Sequence, residues 1–355
     1  MKMMSKRGLV TAVAAAMAVG ASFAVQAGVE VYGKARMSLD FINNDDSTAG
    51  NEDSAVSLSS NTSRLGFKGD EDLGNGLSAL WQLETQVDFD TGSAFQSARN
   101  TFVGLSGGFG TVLAGRYETP LRIVTARFDP FSDTKGDYNA IIGNIRGNRL
   151  FDNRTPNIVS YASPDMAGLK LHAAYSFNRT SDDLPMTTTD SERELASVGA
   201  GYERGPLYLA ASYEAIGNLT GADDGSAYRL GAAWNFGQGT VLSGLFENAD
   251  RGGANGERSA LYASATHKMG DNSLKAAVAV ADNVDGISSS GATQLTLGGF
   301  HSFTKNTEVY ALYTQVNNDT SGTYGLWSGS QAVAGFADKS VSAISFGINH
   351  NFSSK

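Results

Sequence analysis

Apolar and polar positions alternate along most of the chain. From Val29 to Phe41 the odd positions are apolar or glycine, whereas the even positions are mostly charged or polar. Successive side chains of a β-strand face opposite sides, so this segment predicts a strand with one apolar and one charged face. The same pattern recurs in residues 77–89, 169–175 and, more weakly, 228–234. The chain is therefore predicted to be all-β.

Two architectures share this alternation, a soluble β-sandwich and a membrane β-barrel. Several predicted strands have ten or more residues, which is long for a soluble sheet. It suits a tilted crossing of a bilayer, which takes about 9–11 residues. Aromatic residues also stand near the strand ends, as in the interfacial girdles of membrane barrels. They include Tyr32, Phe41, Tyr175, Phe177, Trp234, Phe236, Phe346 and Phe352. Both signals favour the membrane barrel.

The connections between the predicted strands are of two kinds, seven short turns and eight long polar loops in alternation. This count predicts sixteen antiparallel transmembrane strands, with both termini on the side of the short turns. A barrel of this size encloses a lumen that side chains cannot fill, so water fills it. The long loops are predicted around residues 43–60, 90–97, 120–153, 178–195, 215–226, 248–257, 282–292 and 317–340.

The third long loop, about residues 120–153, interrupts this rhythm. A connection of more than thirty residues without clear periodicity is uncommon unless it has a function. Asp129, Asp133 and Asp137 lie close together within it, and the segment has arginines at or near both of its ends. Inside a barrel, such a loop could fold inward and set the width of the bore.

The first residues have the features of an export signal. A basic start is followed by an apolar, Ala-rich stretch and by the small residues of Val25-Gln26-Ala27, which signal peptidase needs. We predict a signal peptide at residues 1–27 and a barrel at residues 28–355. The barrel region has no run of about 18 apolar residues, so no membrane-spanning helix is expected there.

The overall charge excludes one class of partner. The chain has 27 basic and 36 acidic residues, and removal of the three basic residues of the signal leaves 24 against 36, a net charge of −12. Phosphate binding needs a basic face, so no nucleic acid is expected as a partner. The chain has no cysteine, so disulfides and thiolate metal sites are also excluded.

Several motifs follow one another along the whole predicted barrel. They are Val31-Tyr32-Gly33-Lys34, the stretch 63–69 with Leu73-Gly74-Asn75-Gly76, the stretch 98–105, the stretch 153–161 and the closing stretch 345–352. In this order they resemble the general porins of Gram-negative bacteria. The resemblance implies an outer-membrane trimer of sixteen-stranded barrels, each with its third external loop folded into its own lumen.

The resemblance also implies two facing sets of charges at the narrowest part of the pore. The basic wall would comprise Lys34, Arg36, Arg64, Arg99, Arg116 and Arg154, and the acidic loop would contribute Asp129, Asp133 and Asp137. The family usually ends on an aromatic residue that the assembly machinery reads. Here Phe352 is followed by three further residues, so Phe352 is the candidate for that role.

The alternation of side chains along a strand supports the basic wall independently of the resemblance. Arg64 and Lys68 share one face, opposite Leu65 and Phe67. A lipid-facing Arg or Lys near the bilayer midplane would cost roughly 2–4 kcal/mol, so these side chains must face the lumen. An acidic loop opposite them would create a transverse field, which a polar solute could follow and an apolar solute could not.

Enzyme and metal signals are weak. Gly104-Leu105-Ser106-Gly107-Gly108 matches G-x-S-x-G but leads into a strand rather than the helix that a nucleophile elbow requires. The four histidines are widely separated, without zinc-type spacing. Acidic pairs in the external loops could hold cations that bridge lipopolysaccharide, but none has EF-hand spacing. They are Asp45-Asp46, Asp182-Asp183 and Asp223-Asp224. No enzyme, metal or cofactor is predicted.

The predicted function is passive diffusion of small hydrophilic solutes and ions through the outer membrane, where the partners are the lipid bilayer and lipopolysaccharide. The alternative is a substrate-specific channel for a sugar, phosphate or organic acid, in which Phe128, Phe131 and Tyr138 could form a stacking track. The acidic excess suggests modest cation selectivity, but the local charge at the constriction decides it. The ion preference therefore stays open at this point.

Overall fold

The computed structural model describes residues 28–45, 54–179, 194–219, 223–253, 256–327 and 332–355, without the side chain of Gln96. The predicted signal peptide lies outside these residues, as do Asp46, Asp182 and Asp183. Nearly all of the regular structure is β. The strands are β1 Glu30–Asn44, β2 Ser54–Ser60, β3 Arg64–Gly74, β4 Leu77–Asp88, β5 Ser93–Ala98, β6 Thr101–Gly107, β7 Gly110–Glu118, β8 Asn144–Ile145, β9 Asn148–Arg149, β10 Arg154–Ala162, β11 Leu169–Ser176, β12 Leu195–Arg204, β13 Leu207–Ile216, β14 Gly225–Gly237, β15 Thr240–Asp250, β16 Glu257–Met269, β17 Asn272–Ala281, β18 Ala292–Thr304, β19 Thr307–Asn318 and β20 Ser340–Ser353.

The strands form a closed wall. β1 pairs with β20 along almost its whole length, from Tyr32↔Ser353 to Asn44↔Val341, and on its other edge with β3 and β2. Because β1 pairs with both β2 and β3, these two segments form one interrupted strand, and β5 and β6 do the same beside β4. The sheet's 18 segments therefore make sixteen strands, all antiparallel. The predicted sixteen-stranded barrel is confirmed.

The two faces of the wall differ as the alternation predicts. On β16, Leu261 is 60% exposed, whereas the next residue, Tyr262, is 3% exposed. On β18, Leu295 and Leu297 are exposed on either side of the buried Thr296. The outer face is therefore a band of apolar side chains suited to lipid, whereas the inner face combines polar residues with buried rings such as that of Tyr262. Closure leaves no free edge in the bilayer.

The connections follow the prediction with two corrections. The predicted loop 90–97 is only residues 89–92, because Ser93–Ala98 pairs with β4. The predicted loop 43–60 is shorter too, because Ser54–Ser60 is a strand. In the G-x-S-x-G motif, Ser106 lies on β6 and its Oγ is 3.0 Å from Thr111 Oγ1, so the motif forms a hairpin.

We call residues 119–153 the inner loop. It contains helix α1, Pro120–Thr125, the 3-10 turns Ala126–Phe128 and Tyr138–Ala140, and the small hairpin β8–β9. It contacts strands as far apart around the wall as β1, β13 and β18. A segment can reach all of these only from inside the closed barrel.

Aromatic residues fix the inner loop to one side of the wall. The rings of Phe128, Phe131 and Tyr138 are 1%, 0% and 3% exposed, and they pack against aromatic rings of β13, β18 and β16 at centroid distances of 5.6, 6.0 and 5.6 Å. Burying such rings is a large part of what stabilises the loop. The predicted stacking track of these three residues is therefore wrong, because none of the three rings is open to a solute.

None of the helices among the described residues is both long and apolar enough to span a membrane. Phe352, near the end of β20, is 40% exposed and lies opposite Gly33 of β1. Its role in assembly stays a prediction.

Candidate functional site

A cavity of about 210 Å³ lies between the inner loop and the part of the wall formed by β2 to β7 and β10. Five arginines and two aspartates border it, together with several uncharged polar residues and one aromatic ring. The lining residues are Asn61, Thr62, Gln86, Ser97, Ala98, Arg99, Arg116, Arg122, Asp133, Asp137, Asn139, Arg149, Asn153, Arg154 and Trp327. A mainly polar lining with this many charges is suited to water and ions.

The first group of charges joins β1 and β3 to the inner loop. Lys34 lies directly opposite Arg64 in the strand register, and Arg36 is two residues further along the same face. Asp133 reaches this pair of strands, where it accepts a hydrogen bond from Arg64 Nη2 at 2.8 Å and another from Arg36 Nη1. Burial by itself would raise the pKa of Asp133, but Arg64 and Arg36 hold it below its usual range. Asp133 is thus a fixed negative charge at the cavity.

The second group lies on the wall itself. Arg99 Nε is 2.6 Å from Glu84 Oε1, and Arg154 Nη2 is 2.6 Å from Glu118 Oε1. Arg116 Nε donates to the carbonyl of Ala98 at 2.8 Å. Sequence reasoning identified these arginines and missed the two glutamates, although Glu84 occupies the polar side of an alternating strand.

The third group fixes the base of the inner loop and was also missed. Buried Asp152 is 2.7 Å from Arg122 Nη1 and 3.8 Å from Arg149 Nη2, and it accepts a hydrogen bond from Arg229 of β14. Burial would raise the pKa of Asp152, but its arginine neighbours hold it below its usual range. Removing one member of such a buried set leaves the others without compensation.

Further contacts extend this network to the next strands. Arg229 Nε is 2.8 Å from Glu247, and Glu247 also pairs with Arg258 at 3.0 Å and accepts from the backbone N–H of Gly143 at 2.9 Å. The two arginines and Glu247 are fully buried. The inner loop is therefore held by ion pairs on β14 to β16 as well as by its aromatic rings.

The other two predicted acids differ from Asp133. Asp137 borders the cavity and accepts from the backbone N–H groups of Asp133 and Asn139 at 3.0 and 2.9 Å. Burial raises its pKa to about 6. Asp129 is not among the described residues that border the cavity. It accepts from two backbone N–H groups of the loop and from the Tyr262 hydroxyl at 3.0 Å. The prediction that Asp129 faces the basic wall is therefore wrong.

The tip of the inner loop is fixed to β1 and β18. Lys135 Nζ is 3.7 Å from Asp40 of β1, and both side chains are buried. The Thr296 hydroxyl and the Gln294 amide of β18 donate to the carbonyl of Gly136 at 3.4 and 3.3 Å. The loop is thus attached to the wall along the stretch from β13 to β1.

We call residues 319–339, between β19 and β20, the final loop. It contacts the β8–β9 hairpin of the inner loop. Arg146 Nε donates to the carbonyl of Ser321 at 3.2 Å, and the Thr323 hydroxyl donates to the carbonyl of Arg146 at 2.9 Å. The Arg149 guanidinium carbon lies 4.6 Å from the centroid of the Trp327 ring. Sequence reasoning treated this segment only as an external loop.

Together these features define a class of protein. A closed barrel with an apolar outer band and a charged, mainly polar cavity between its wall and an inner loop is a membrane channel of the β-barrel type. Within the described residues, no group of three or more His, Cys, Asp or Glu side chains could hold a metal ion.

Comparison with known proteins identifies the family. The family model described as Gram-negative porin matches residues 11–321. Outer membrane porin protein 32 of Delftia acidovorans is 32% identical over an alignment of 364 positions, which covers 98% of this chain and all of that protein. The chain belongs to the Gram-negative porin family, and it is an outer-membrane porin channel.

Other relatives agree with this assignment. The major outer membrane protein P.IB of Neisseria gonorrhoeae is 29% identical over 209 residues, covering 57% of this chain and 55% of that protein. The solved structure of an anion-selective porin from Comamonas acidovorans has a TM-score of 0.78 and 30% identity, covering 92% of this chain and all of that one. OmpT of Vibrio cholerae, with a TM-score of 0.66, 17% identity and coverage of 93% and 99%, shares the fold.

Proposed function

We propose that the channel lets small hydrophilic solutes diffuse across the outer membrane and passes anions more readily than cations. The observation that carries this proposal is the charge of the cavity lining, with five arginines against two aspartates. The nearest further charges almost balance. Glu84, Glu118 and Asp152 pair with lining arginines, whereas Arg36 and Arg64 pair with Asp133 and Lys34 lies beside them.

The local charge outweighs the overall charge in this argument. The predicted mature chain is strongly acidic, but salt screens charges at a distance beyond about 10 Å at 0.1 M ionic strength. An ion in the narrow part of the pore responds mainly to the groups that line it. The modest cation preference that composition alone suggested is therefore replaced by a preference for anions.

The transverse field that we propose differs from the one predicted between a basic wall and an acidic loop. Asp133 and Asp137 of the inner loop face Arg99, Arg116 and Arg154 of the wall across the cavity. However, Arg122 and Arg149 lie on the same loop, so the loop is not a purely acidic side. We propose a local field near Asp133 within a surrounding that is positive overall. Such a pore orients polar solutes and attracts anions.

The similarity of this chain to a solved porin also supports the preference for anions. The solved porin of Comamonas acidovorans, which is described as anion-selective, matches this chain over most of its length. By analogy with the family, we also propose export by the signal peptide at residues 1–27, assembly into a homotrimer, a role for Phe352 in that assembly, and contact with lipopolysaccharide on the loop side.

The proposal is tested by the reversal potential of the purified protein in a planar bilayer with a KCl gradient. We expect a potential of the sign that chloride permeation produces. A potential of zero, or of the potassium sign, would refute the anion preference. Absence of any conductance from folded protein would refute diffusion through the pore.

A further inference from the structure

Trp327 is the one aromatic residue among the described residues that line the cavity. It comes from the final loop, and its ring stacks with Arg149 of the inner loop. Arg122 borders the same cavity and is joined to Arg149 through their common partner Asp152. An apolar ring surface and two guanidinium groups therefore border one small space.

The segment before Trp327 is held in place on both sides. Asn318 accepts from the backbone N–H of Tyr324 at 2.7 Å and donates to its carbonyl at 2.8 Å. Tyr324 and Leu326 are 0% and 1% exposed, and Leu326 pairs with Val333 across the final loop. With the contacts of Arg146 described above, these bonds fix the backbone next to Trp327. Its ring is thus part of a built surface.

The chemistry of this corner differs from that of the rest of the cavity. Arginine binds carboxylates by hydrogen bonds and stacks on aromatic faces. A tryptophan ring adds an offset-stacked or edge-to-face contact for another aromatic ring. A compact anion such as chloride uses only the arginines, whereas a planar anion with a ring could use both. The guanidinium groups provide affinity for the charge, and Trp327 distinguishes the kind of anion.

We propose that Trp327 and Arg149 form a subsite that selects aromatic carboxylates over other monovalent anions in the channel. This inference rests on the proposed anion preference and adds a substrate class to it. The three aromatic residues of the inner loop that sequence reasoning considered for stacking are buried against the wall, so they do not compete for this role.

Chloride current through the full-length mature protein in planar bilayers provides the test. Sodium benzoate and sodium cyclohexanecarboxylate are added in turn, because they match in charge and approximate size and only benzoate has an aromatic ring. An aromatic pair adds about 0.5–1.5 kcal/mol, so benzoate should half-block the current at a concentration about two- to tenfold lower.

Three variants assign the effect to the ring. Trp327→Leu should bring the ratio of the two half-blocking concentrations to about one, and Trp327→Phe should keep part of the preference. Trp234→Leu is the matched control, because Trp234 is on the outer face of β14 and 45% exposed. This control should keep the wild-type ratio.

The outcomes separate the two proposals. If wild-type protein prefers chloride over potassium but does not distinguish benzoate from cyclohexanecarboxylate, the subsite is refuted and the anion preference stands. If Trp327→Leu keeps the wild-type ratio, the subsite is also refuted. If wild-type protein shows no chloride preference, the proposed function fails and the subsite fails with it.

Discussion

Replacing Asp133 by asparagine changes one charge at the cavity and almost nothing in volume. Asp133 is the lining residue that receives hydrogen bonds from two wall arginines, Arg36 and Arg64. In Asp133→Asn both arginines keep their positions on the strands but lose a negative partner. The lining then carries five arginines and one aspartate. We expect a stronger preference for anions.

The size of the change follows from the cavity. A volume of about 210 Å³ equals that of a sphere about 3.7 Å in radius, so an ion at its centre lies about 4 Å from the lining. A unit charge at that distance contributes about 1 kcal/mol in water, and screening at 0.1 M salt lowers this to about 0.7 kcal/mol. An energy of about 0.7 kcal/mol changes the permeability of each ion about threefold, upward for chloride and downward for potassium. The permeability ratio should therefore rise about tenfold.

The assay is the reversal potential in a KCl gradient, measured for wild-type protein and Asp133→Asn under identical conditions. Asp271→Asn is the matched control, because Asp271 is exposed in the turn between β16 and β17 and the same charge is removed. The control should leave the ratio unchanged. A ratio in Asp133→Asn that stays at the wild-type value, or moves toward potassium, would refute the electrostatic reasoning.

Three further predictions follow from the same geometry. Arg116→Gln removes a positive charge from the lining, so the chloride-to-potassium permeability ratio should fall about tenfold by the same estimate, and an unchanged reversal potential would contradict this. Asp152→Asn leaves a buried arginine cluster without its shared acid, so the free energy of unfolding should fall by about 3–5 kcal/mol, as measured by urea unfolding followed by tryptophan fluorescence. A urea midpoint equal to that of wild-type protein would argue against this role. Burial raises the pKa of Asp137 to about 6, so lowering the pH from 7 to 5 neutralises it and should increase the anion preference. Asp137→Asn should remove most of that pH dependence, and a variant that keeps it in full would show that another group titrates.

The strands were predictable because a two-sided wall in lipid imposes a strict period. Every residue of β16 or β18 must face either lipid or the lumen, so the sequence of apolar and polar positions reports the fold directly. The loop bounds were less accurate. Ser93–Ala98 pairs with β4, although its polar and apolar residues do not alternate.

The charged site was only partly predictable, because its contacts join residues that are far apart in the chain. Asp129 and Asp133 are four residues apart, but Asp133 meets Arg64 whereas Asp129 is buried against Tyr262 of β16. No local pattern distinguishes the two. Asp152 could have been found, since it lies between Arg149 and Arg154 in the sequence. Trp327 could not, because its approach to the cavity depends on how two loops pack together.

The central claim is that ions cross the membrane through the cavity beside the inner loop. The chain has no cysteine, so a single Ser97→Cys variant places one thiol at the lining. The account predicts that a negatively charged methanethiosulfonate reagent lowers the chloride-to-potassium permeability ratio and a positively charged one raises it. Lys305→Cys, in an exposed turn, should show neither effect. Complete labelling of Ser97→Cys, confirmed by mass, without a change in conductance or selectivity would contradict the account.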